Sequence, residues 1–541
     1  MENREDLRSI LPFLPLKLNS STLSWPNQVI EALKSLSKGP SHSRVDSGEV
    51  LFLAISDLRN SLSLSSHPFA NSAADGYALF FDEFLSRAEA AKWFGEVVPL
   101  MANLLLRFPA FLESHYQYAD LIMVGVDTGL RLLEPQQPGI VFLSQELIAA
   151  LLSCSFFCLF PTANRVTNHL PVINFDRLFA SLYEKYHENL EHKIKCIVHY
   201  FERIHSSVPV GYVSFERKVL VLENNAPLVT YPTANLWAKS VVPLCLFEVC
   251  SSGLIEDQLR GALEVDFANK YLGGGALSRG CVQEEIRFMI NPELIAGMLF
   301  LPSMSDNEAI ETVGAERFSN YSGYASTFRY AGNHVDIREI DSFGRRKTII
   351  VAIDALRSPG LRQYRVDSLL REVNKAFCGF LDQLNYQQYQ MLLQYCDSCV
   401  VRGGNDPMDA DVSDIQATLV EDSGMSPDNN EAKATQNVTS QMQVHHSDVG
   451  IATGNWGCGA FGGDPELKSV IQWLAASQAL RPFILHYTFG IEELQNLDQV
   501  CKWIMSHNWT VGDLWNMLVD YSSKRAKGET NLGFFSWLLP C

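Results

Sequence analysis

A glycine triplet at residues 273–275 is followed, after seven residues, by the segment Gln283-Glu284-Glu285. Glycine lets a backbone approach a ligand closely and leaves amide groups that can point at it. Two adjacent carboxylates then arrive where a helix is predicted to begin. The spacing therefore predicts a loop that binds an anionic ligand, with an acid placed against it.

The two carboxylates suggest a particular kind of acid–base chemistry. Glu284 and Glu285 are neighbours, so on a helix their side chains diverge by about 100°. The paired acids of an ordinary glycosidase instead flank the bond, about 5 to 9.5 Å apart. We therefore expect one carboxylate to protonate a leaving oxygen and then to deprotonate a water molecule. A helix N-terminus lowers the pKa of such an acid, whereas burial and a neighbouring carboxylate raise it, and the sequence leaves this balance open.

The flanking residues predict the elements that carry this loop. Residues 263–268 read as a strand that brings Asp266 and Asn269 to the loop, and residues 283–290 are good helix formers that stop before Pro292. The order is strand, glycine loop, helix, and ligands commonly bind at the carboxyl ends of strands in such sheets. The competing interpretation is a plain glycine-rich turn before a helix whose first turn is acidic.

A second glycine-rich stretch occupies residues 453–464. Gly457, Gly459 and Gly462 match the spacing G-x-G-x-x-G. Asp464 can cap the helix that follows, which suits a phosphate bound at the helix N-terminus. A dinucleotide-binding interpretation is disfavoured, because the loop lies late in the chain and the next predicted strand does not end in an acid.

The rest of the chain divides by pattern. Residues 1–205 show mainly helical periodicity, which predicts an all-helical accessory domain. Residues 206–541 alternate short apolar runs with helical segments, which predicts an α/β layer structure around a largely buried sheet. The predicted strands of this second domain lie at residues 219–222, 243–249, 263–268, 348–353 and 483–489.

Residues 402–447 differ from everything around them. They are rich in aspartate and glutamate and contain no phenylalanine, tyrosine or tryptophan. Such a segment cannot bury enough apolar surface to offset the entropy lost on ordering. We therefore expect a disordered acidic insertion in the second domain.

Composition limits what the chain can bind. Its 541 residues carry a formal net charge of −18, so the field of the whole molecule repels a polyanion. Any anionic ligand must depend on local amides, helix N-termini or a few cations. We find no secretory signal, and the longest apolar run, residues 147–160, is shorter than the ~20 residues that span a bilayer, which favours a buried core helix. We expect the 12 cysteines to be reduced thiols.

Together these segments resemble the poly(ADP-ribose) glycohydrolase family, whose signature is a glycine triplet, six to eight residues and then Gln-Glu-Glu. The chain matches this signature with a spacer of seven residues. The resemblance covers most of the second half of the chain and, more loosely, the first half. The further blocks that resemble the family lie at residues 157–160, 174–179, 265–270, 286–288, 291–294, 321–324, 374–376 and 455–464.

The resemblance implies a macrodomain, a three-layer α/β/α fold with a mixed sheet, and an N-terminal all-helical accessory domain. It implies hydrolysis of the ribose–ribose O-glycosidic bonds of poly(ADP-ribose), mainly from the chain end, with release of ADP-ribose. Glu285 would be the general acid and then the general base, Glu284 would hold ribose hydroxyls, and Asp266 would support the site. The substrate-binding residues that the resemblance implies are Ile255, Glu256, Asn269, Gly273, Gly274, Gly275, Gln283, Tyr324, Asn455, Gly459, Ala460, Phe461 and Phe489.

The resemblance also divides the ligand among these residues. Ile255 and Glu256 match the adenine-recognition position, and Phe489 would stack on adenine. Amides of both glycine loops would hold the diphosphate, and Tyr324 would close over the phosphates. Each has a plainer alternative, since phenylalanine is more often a core residue and a glutamate more often a surface charge.

Partners and location are expectations at this point. The substrate would be poly(ADP-ribose) on modified proteins, with no cofactor and no metal. We expect no direct nucleic-acid binding, no membrane association, a monomer, and a place in the nucleus or cytoplasm with a role in the DNA damage response. The alternative function is a non-catalytic reader that binds ADP-ribose, which would need the glycine loops but no acid. The acidic insertion departs from the family pattern, so the handling of long or branched polymer stays open.

Overall fold

A computed structural model describes residues 3–19, 22–222, 229–382 and 449–539 of the chain. The predicted acidic insertion, residues 402–447, lies outside the described residues. The cysteines within the described ranges are all free thiols, as expected from the sequence.

The strands are short, and most of them are built from apolar and β-branched residues that fit a pleated, half-buried surface. In chain order the strands of the described ranges are β1 (Lys17–Asn19), β2 (Thr22–Ser24), β3 (Gly139–Ser144), β4 (Tyr212–Val219), β5 (Leu246–Cys250), β6 (Leu263–Ala268), β7 (Glu308–Val313), β8 (Ser319–Ser322), β9 (Arg329–Asn333), β10 (Ile349–Asp354), β11 (Ile451–Thr453) and β12 (Phe483–Tyr487).

Helices dominate the chain as far as residue 206 and flank the sheet after it. In chain order those of the described ranges are α1 (Glu5–Ile10), α2 (Asn27–Leu36), α3 (Pro40–Ser43), α4 (Gly48–Ser61), α5 (Ala73–Ala78), α6 (Arg87–Lys92), α7 (Val98–Ile122), α8 (Gln145–Phe156), α9 (Asp176–Glu184), α10 (Glu188–Ser206), α11 (Ala234–Ala238), α12 (Gln283–Ile290), α13 (Val366–Phe380), α14 (Pro465–Gln478), α15 (Leu497–Ser506), α16 (Val511–Ala526) and α17 (Phe534–Leu538). Short 3-10 helices that border the site lie at Ile255–Asp257, Pro292–Leu299 and Ala325–Thr327.

Within the described ranges, eight strands form one mixed sheet in the order β3-β4-β7-β10-β6-β11-β12-β5. The five strands from β10 to β5 run parallel to their neighbours, and the three on the other side are antiparallel. Strands β6, β10, β11 and β12 therefore end at the same edge of the sheet. That edge receives the two glycine loops.

The sheet is buried on both faces, as the sequence predicts. Alternate residues of β10 belong to different cores, with Ile350 and Ala352 on one face and Val351 and Ile353 on the other. Helices α13 and α14 pack together over the second face. The first face carries α8 and the 3-10 helix Pro292–Leu299, and its core runs on into the N-terminal helices. The arrangement is the expected α/β/α sandwich with helices before it.

The N-terminal region departs from the all-helical expectation in two places. β1 and β2 form a small hairpin, and β3 pairs with β4 in antiparallel register from Gly139↔Arg217 to Ser144↔Tyr212. β3 is thus an edge strand of the main sheet. Its partner lies far along the chain, so local periodicity could not reveal it. The domain boundary between residues 205 and 206 stays a prediction.

Four of the five predicted strands are confirmed: the strand at residues 263–268 has the predicted bounds, and the ends of the other three move by up to three residues. The fifth, at residues 219–222, is wrong, because β4 runs from Tyr212 to Val219 and stops where the apolar run begins. β4 carries Glu216 and Lys218 within its length, so its pattern looks polar although the strand lies between β3 and β7. Beyond it, Val221 makes only an isolated bridge to Thr230.

One helical stretch, Arg87–Ile122, is long and apolar enough to cross a membrane by length and composition. Of its most apolar window, 44% is buried inside the fold, and α7 packs against α2 and α8. A buried core helix passes the same test, so the stretch is weak evidence for a membrane span. The apolar run at residues 147–160 is buried, as predicted, and its residues 147–156 belong to the core helix α8.

Candidate active site

The strand–loop–helix order predicted around the glycine triplet is confirmed. β6 ends at Ala268 and α12 begins at Gln283. The Gln283 side chain joins the two elements, because its Oε1 accepts from Phe267 N at 2.8 Å and its Nε2 donates to Val265 O at 3.1 Å. The intervening loop therefore returns to the carboxyl end of β6.

A buried ion pair also anchors α12 to β6. Arg287 of α12 lies 2.5 Å from Glu264 of β6, and both side chains are buried. Arg338 reaches the other oxygen of Glu264 at 2.5 Å. These contacts leave the first turn of α12 little freedom relative to the strand.

Glu284 holds the front of the glycine loop. Its Oε1 accepts from Gly273 N at 2.8 Å and its Oε2 from Asn269 N at 2.9 Å. Burial, followed by the neighbouring Asp266 and Glu285 carboxyls, raises the pKa of Glu284 well above its usual range, and the two amides act against this. Burial therefore outweighs the amide dipoles at this carboxyl, a balance that the sequence had left open.

Glu285 holds the back of the same loop. Its Oε1 accepts from Gly275 N at 2.8 Å and its Oε2 from Val282 N at 2.9 Å. The residue is 7% exposed, so its carboxyl lies away from bulk solvent. Each oxygen keeps a second lone pair, which leaves the carboxyl able to meet a ligand.

The two carboxyls converge, although neighbouring residues of a helix diverge. A Cβ placed on Gly274 would lie 2.4 Å from Glu284 Oε2 and 2.8 Å from Glu285 Oε1. Both side chains belong to the first turn of α12 and bend back to the loop amides. The expected divergence of about 100° thus holds for the Cα–Cβ directions only.

The amides of the glycine triplet are not the free donors that we expected. Gly273 N and Gly275 N donate to the two glutamates, and Gly274 N donates to Tyr271 O at 3.0 Å. The buried carboxyls of Glu284 and Glu285 lie beside the loop and accept hydrogen bonds from two of these N–H groups. These amides already have acceptors within the protein, and the expectation that they hold a diphosphate stays a prediction. The triplet is needed instead for backbone shape, since Gly273 and Gly274 have φ values of +84° and +48°.

Asp266 lies under the two glutamates. It is 1% exposed, and its Oδ1 has no hydrogen-bond partner among the described residues. Burial raises the pKa of Asp266 to about 8, with Arg287 acting against the rise and Glu285 adding to it. Burial therefore favours the neutral form of Asp266. Asn269 is placed alongside, where its Oδ1 accepts from Tyr271 N at 3.0 Å.

The second glycine loop lies at the same edge of the sheet, after β11. The amides of Gly459, Ala460 and Phe461 donate to none of the described residues, and Gly459 and Ala460 are exposed. Three successive N–H groups thus have no acceptor among the described residues, and such donors can bind an anion. The binding of a diphosphate by this loop stays a prediction, and its unpaired N–H groups are compatible with it.

The second loop rests on polar contacts that fix its shape. Asn455 Nδ2 donates to Thr488 O at 2.9 Å, which ties the loop to the end of β12. Asp464 caps α14 as predicted, because its Oδ1 accepts from Glu466 N at 2.9 Å and Leu467 N at 3.2 Å. Asn455 Oδ1 is buried and has no partner among the described residues, so it remains available to a ligand.

The residues predicted for adenine lie beyond the end of β5. Ile255 is buried with Tyr487 in a small apolar cluster against which Phe267 packs. Glu256 is not a plain surface charge, because its Oε1 accepts from Tyr321 OH at 2.6 Å. Sequence patterns do not predict this Tyr321 contact, since the partners are far apart along the chain.

Phe489 follows β12 and presents an exposed ring. Its side chain is 47% exposed, and its φ of +51° is unusual for a bulky residue. A Cβ on Gly454 would lie 2.8 Å from the Phe489 ring and 3.5 Å from Phe267, so the glycine lets the rings approach the second loop. Phe461 differs, because it packs partly against the core.

Tyr324 lies at the tip of the hairpin formed by β8 and β9. It is 53% exposed, and its backbone N donates to Thr327 Oγ1 at 3.0 Å. Partial burial raises the pKa of the Tyr324 phenol, and the backbone N–H of Gln283 acts against this. The phenol therefore faces the N-terminus of α12, above the two glutamates. Among the described residues, no group of three or more histidine, cysteine or acidic side chains is arranged to hold a metal.

Lys193 is a residue of the site that sequence patterns did not reveal. It belongs to α10 of the N-terminal region, is fully buried and donates to three carbonyls of the catalytic loop. Its only sequence signal is a lysine on the apolar face of an amphipathic helix. Such a position predicts a buried partner but not its identity.

Comparison with known proteins identifies both parts of the chain. A family model described as poly (ADP-ribose) glycohydrolase, macro domain fold, matches residues 234–496. A second, described as the helical domain of poly (ADP-ribose) glycohydrolase, matches residues 85–217. The macrodomain fold with a separate helical domain is therefore confirmed.

Two curated plant relatives match the chain over its full length. The chain is 59% identical over 551 positions to poly(ADP-ribose) glycohydrolase 1 of Arabidopsis thaliana, with 100% of this chain and 98% of the relative covered. It is 52% identical over 543 positions to probable poly(ADP-ribose) glycohydrolase 2 of the same plant, with 100% and 99% covered. Poly(ADP-ribose) glycohydrolase 1 of Caenorhabditis elegans is 31% identical over 340 positions, which cover 60% of this chain and 35% of the relative. With matches of this length and both domain models in chain order, the chain belongs to the poly(ADP-ribose) glycohydrolase family.

Proposed function

We propose that this chain hydrolyses the ribose–ribose O-glycosidic bonds of poly(ADP-ribose) and releases ADP-ribose. Family membership supports the activity. The observation that carries the assignment to this site is the Glu285 carboxyl, oriented by Gly275 N and Val282 N at the floor of a glycine loop. A reader without turnover needs no such acid.

In the first step, protonated Glu285 donates its proton to the departing ribose oxygen as the glycosidic bond breaks. Positive charge then develops on the anomeric carbon, as in other glycoside hydrolyses. In the second step, ionised Glu285 takes a proton from water, and the water oxygen bonds to that carbon. One water is consumed, and Glu285 recovers its proton.

Neighbouring carboxyls are assigned supporting roles. Glu284 holds the ribose hydroxyls through the lone pairs that its two amide contacts leave free. Asp266, buried and holding its own proton up to about pH 8, limits the negative charge around Glu285. Both groups therefore favour a substrate bound next to the acid.

The remaining contacts divide along the ADP-ribose unit. The diphosphate lies on the amides of residues 459–461, which have no acceptor among the described residues. Adenine stacks on the exposed ring of Phe489, near Ile255 and Glu256. The half-exposed Tyr324 covers the phosphates. A terminal unit fits this arrangement, so we propose release mainly from the chain end.

The test is a product assay on purified poly(ADP-ribose) with the parent chain and Glu285→Gln. The parent should release ADP-ribose. The variant should lose about 10²- to 10⁴-fold in rate, the usual contribution of a general acid, and should keep its affinity for ADP-ribose. Rates come from chromatography of the products and affinity from calorimetric titration.

Glu339→Gln is the matched control, because Glu339 is a surface residue that pairs with Lys347. It should behave as the parent. A Glu285 variant that cleaves at the parental rate would remove the acid assignment. A parent that binds polymer without forming product would favour the reader instead.

Partners and location form a separate part of the proposal. We propose that the chain acts as a monomer on modified proteins in the nucleus or cytoplasm during the DNA damage response, without membrane or direct nucleic-acid binding. The net charge of −18 supports the last point, because it opposes binding to a phosphate backbone. Imaging of a tagged chain, sedimentation and a DNA-binding titration would test these statements separately.

A further inference from the structure

Lys193 makes an unusual set of contacts with the catalytic loop. Its Nζ donates to Gly275 O at 3.3 Å, Ser278 O at 2.7 Å and Gly280 O at 2.5 Å. An ammonium group has three N–H donors, so these three carbonyls engage all of them. The contacts join α10 of the N-terminal region to the loop between β6 and α12.

The loop that Lys193 binds is the one that surrounds Glu285. Gly275 accepts from Lys193 through its carbonyl and donates to Glu285 Oε1 through its amide, at 2.8 Å. Gly280 also lies against the Glu285 carboxyl, because a Cβ added to Gly280 would be 2.6 Å from Glu285 Oε1. The loop is therefore held on one side by the acid and on the other by the lysine.

Lys193 is a buried cation. The residue is 0% exposed and forms no ion pair with a carboxylate among the described residues. Burial lowers the pKa of Lys193 to about 8, with Cys281, Glu285 and Cys196 acting against this. Burying an ammonium without a paired charge is costly, and an apolar side chain would avoid that cost but would remove the donor to all three carbonyls.

The same turn of α10 also holds the hairpin that carries Tyr324. Asn189 Nδ2 donates to Ala325 O at 3.0 Å, and Tyr330 N donates to His192 Nδ1 at 3.2 Å. His192 and Lys193 follow Asn189 by three and four positions, so the three residues share one face of the helix. This face of α10 therefore contacts both the loop around Glu285 and the hairpin that carries Tyr324.

We propose that Lys193 is a positioning residue for glycosidic cleavage, acting through the loop at residues 275–280 to hold the Glu285 carboxyl in place. The inference rests on the proposed role of Glu285 as the acid. Lys193 itself contacts neither the substrate nor the attacking water. It makes the N-terminal helical region part of the catalytic apparatus.

The experiment compares the full-length parent with Lys193→Met, which keeps the length of the side chain and removes its charge and donors. A misplacement of about 1 Å lowers rates by up to about 100-fold. We expect kcat for polymer to fall by about 10- to 100-fold with KM within about threefold of the parent. One ADP-ribose should still bind per chain, which shows that the active fraction is unchanged.

Hydrogen exchange supplies a readout that a general loss of stability would not reproduce. Exchange should become faster in the peptide covering residues 273–283, where Gly275 and Val282 donate to Glu285. It should be unchanged in α7 and α14. Lys193→Arg keeps the charge and the donors, and should retain more of kcat than Lys193→Met.

Lys195→Met is the matched control on the same helix. Lys195 pairs with Glu191 at 2.6 Å and is half-buried, so its loss removes the same charge without affecting the loop. It should keep parental kcat.

The outcomes separate this inference from the proposed function. An inactive parent would defeat both. An active parent with Lys193→Met at parental kcat, or with Lys193→Arg no better than Lys193→Met, would overturn the positioning role alone. Faster exchange throughout the chain with reduced ADP-ribose stoichiometry would also overturn it, since Lys193 would then serve only the fold.

Discussion

At the scale of single residues, three carboxyls share a small buried volume. Asp266, Glu284 and Glu285 are each less than 10% exposed. Like charges this close cannot all be ionised, and burial penalises the charged forms further. The pKa values of Asp266 and Glu284 are raised accordingly. Burial thus favours the neutral forms of Asp266 and Glu284, and the backbone amides of the loop orient Glu285.

Gly274 is the position at which the structure most directly requires a residue without a side chain. Its φ is +48°, and a Cβ would lie 2.4 Å from Glu284 Oε2 and 2.8 Å from Glu285 Oε1. We predict that Gly274→Ala destabilises the fold by about 1–3 kcal/mol through strain and overpacking. It should also lower kcat by about 100-fold, because both carboxyls must move. Thermal unfolding and the product assay measure these effects.

Gly528→Ala separates backbone strain from the clash. Gly528 has a φ of +74°, and a Cβ added there would meet no atom within 4 Å. This variant should show parental kcat and a loss of about 1 kcal/mol. If Gly274→Ala were as active as Gly528→Ala, the close packing of the two carboxyls against Gly274 would be wrong.

At the scale of elements, the position of α12 depends on its attachment to β6. The Arg287–Glu264 pair and the Gln283 bonds to the backbone of β6 are polar contacts that join them. Both charges of the pair are buried, and removing one partner leaves the other without compensation. The helix that carries the acid is thus held by contacts outside the substrate pocket.

Glu264→Gln should therefore weaken both stability and activity. Loss of one charge from a buried pair costs about 3–5 kcal/mol, and Arg287 would remain buried beside a neutral amide. We expect a lower denaturant midpoint with an unchanged slope, and a lower kcat at temperatures where the variant is still folded. Urea unfolding and initial rates measure the two effects.

Glu248→Gln provides the comparison on the same sheet. Glu248 of β5 pairs with Arg260 at 2.6 Å, but both side chains are more than a third exposed. Exposed pairs contribute about 0–1 kcal/mol, so this variant should resemble the parent. Equal losses for the two variants would contradict the importance of the α12 anchor.

At the scale of the whole molecule, the helical region and the sheet share one core. The apolar cluster on the first face of the sheet includes residues from Leu7 in α1 to Ala352 in β10. β3 adds backbone pairing between the N-terminal region and the sheet. Lys193 adds a polar link at the site. Parts joined in this way are expected to unfold together.

We predict a single cooperative thermal transition for the full-length chain. The calorimetric and van't Hoff enthalpies should agree, and saturating ADP-ribose should raise the one midpoint, because the ligand binds only the folded state. Differential scanning calorimetry with and without ADP-ribose provides the measurement. Two resolved transitions, of which ADP-ribose moves only one, would show that the parts are independent.

Some features of this protein follow from the sequence because they are local. The strand–loop–helix order around the triplet, the Asp464 cap and the buried helix α8 depend on residues within a few positions of one another. Local propensity and hydrogen bonding are sufficient to specify such elements. The Gln-Glu-Glu motif likewise placed the acid in the first turn of α12.

Other features were decided only by the tertiary structure. Packing places two buried carboxyls against the first glycine loop, where they accept hydrogen bonds from the amides of Gly273 and Gly275. The amides of residues 459–461 are the ones without an acceptor among the described residues. β3 pairs with β4, which lies far from it along the chain. Lys193 donates hydrogen bonds to carbonyls about 80 positions later in the chain. A buried donor or acceptor needs a hydrogen-bond partner. The tertiary packing determines which group becomes that partner, and the periodicity of the sequence does not encode the choice.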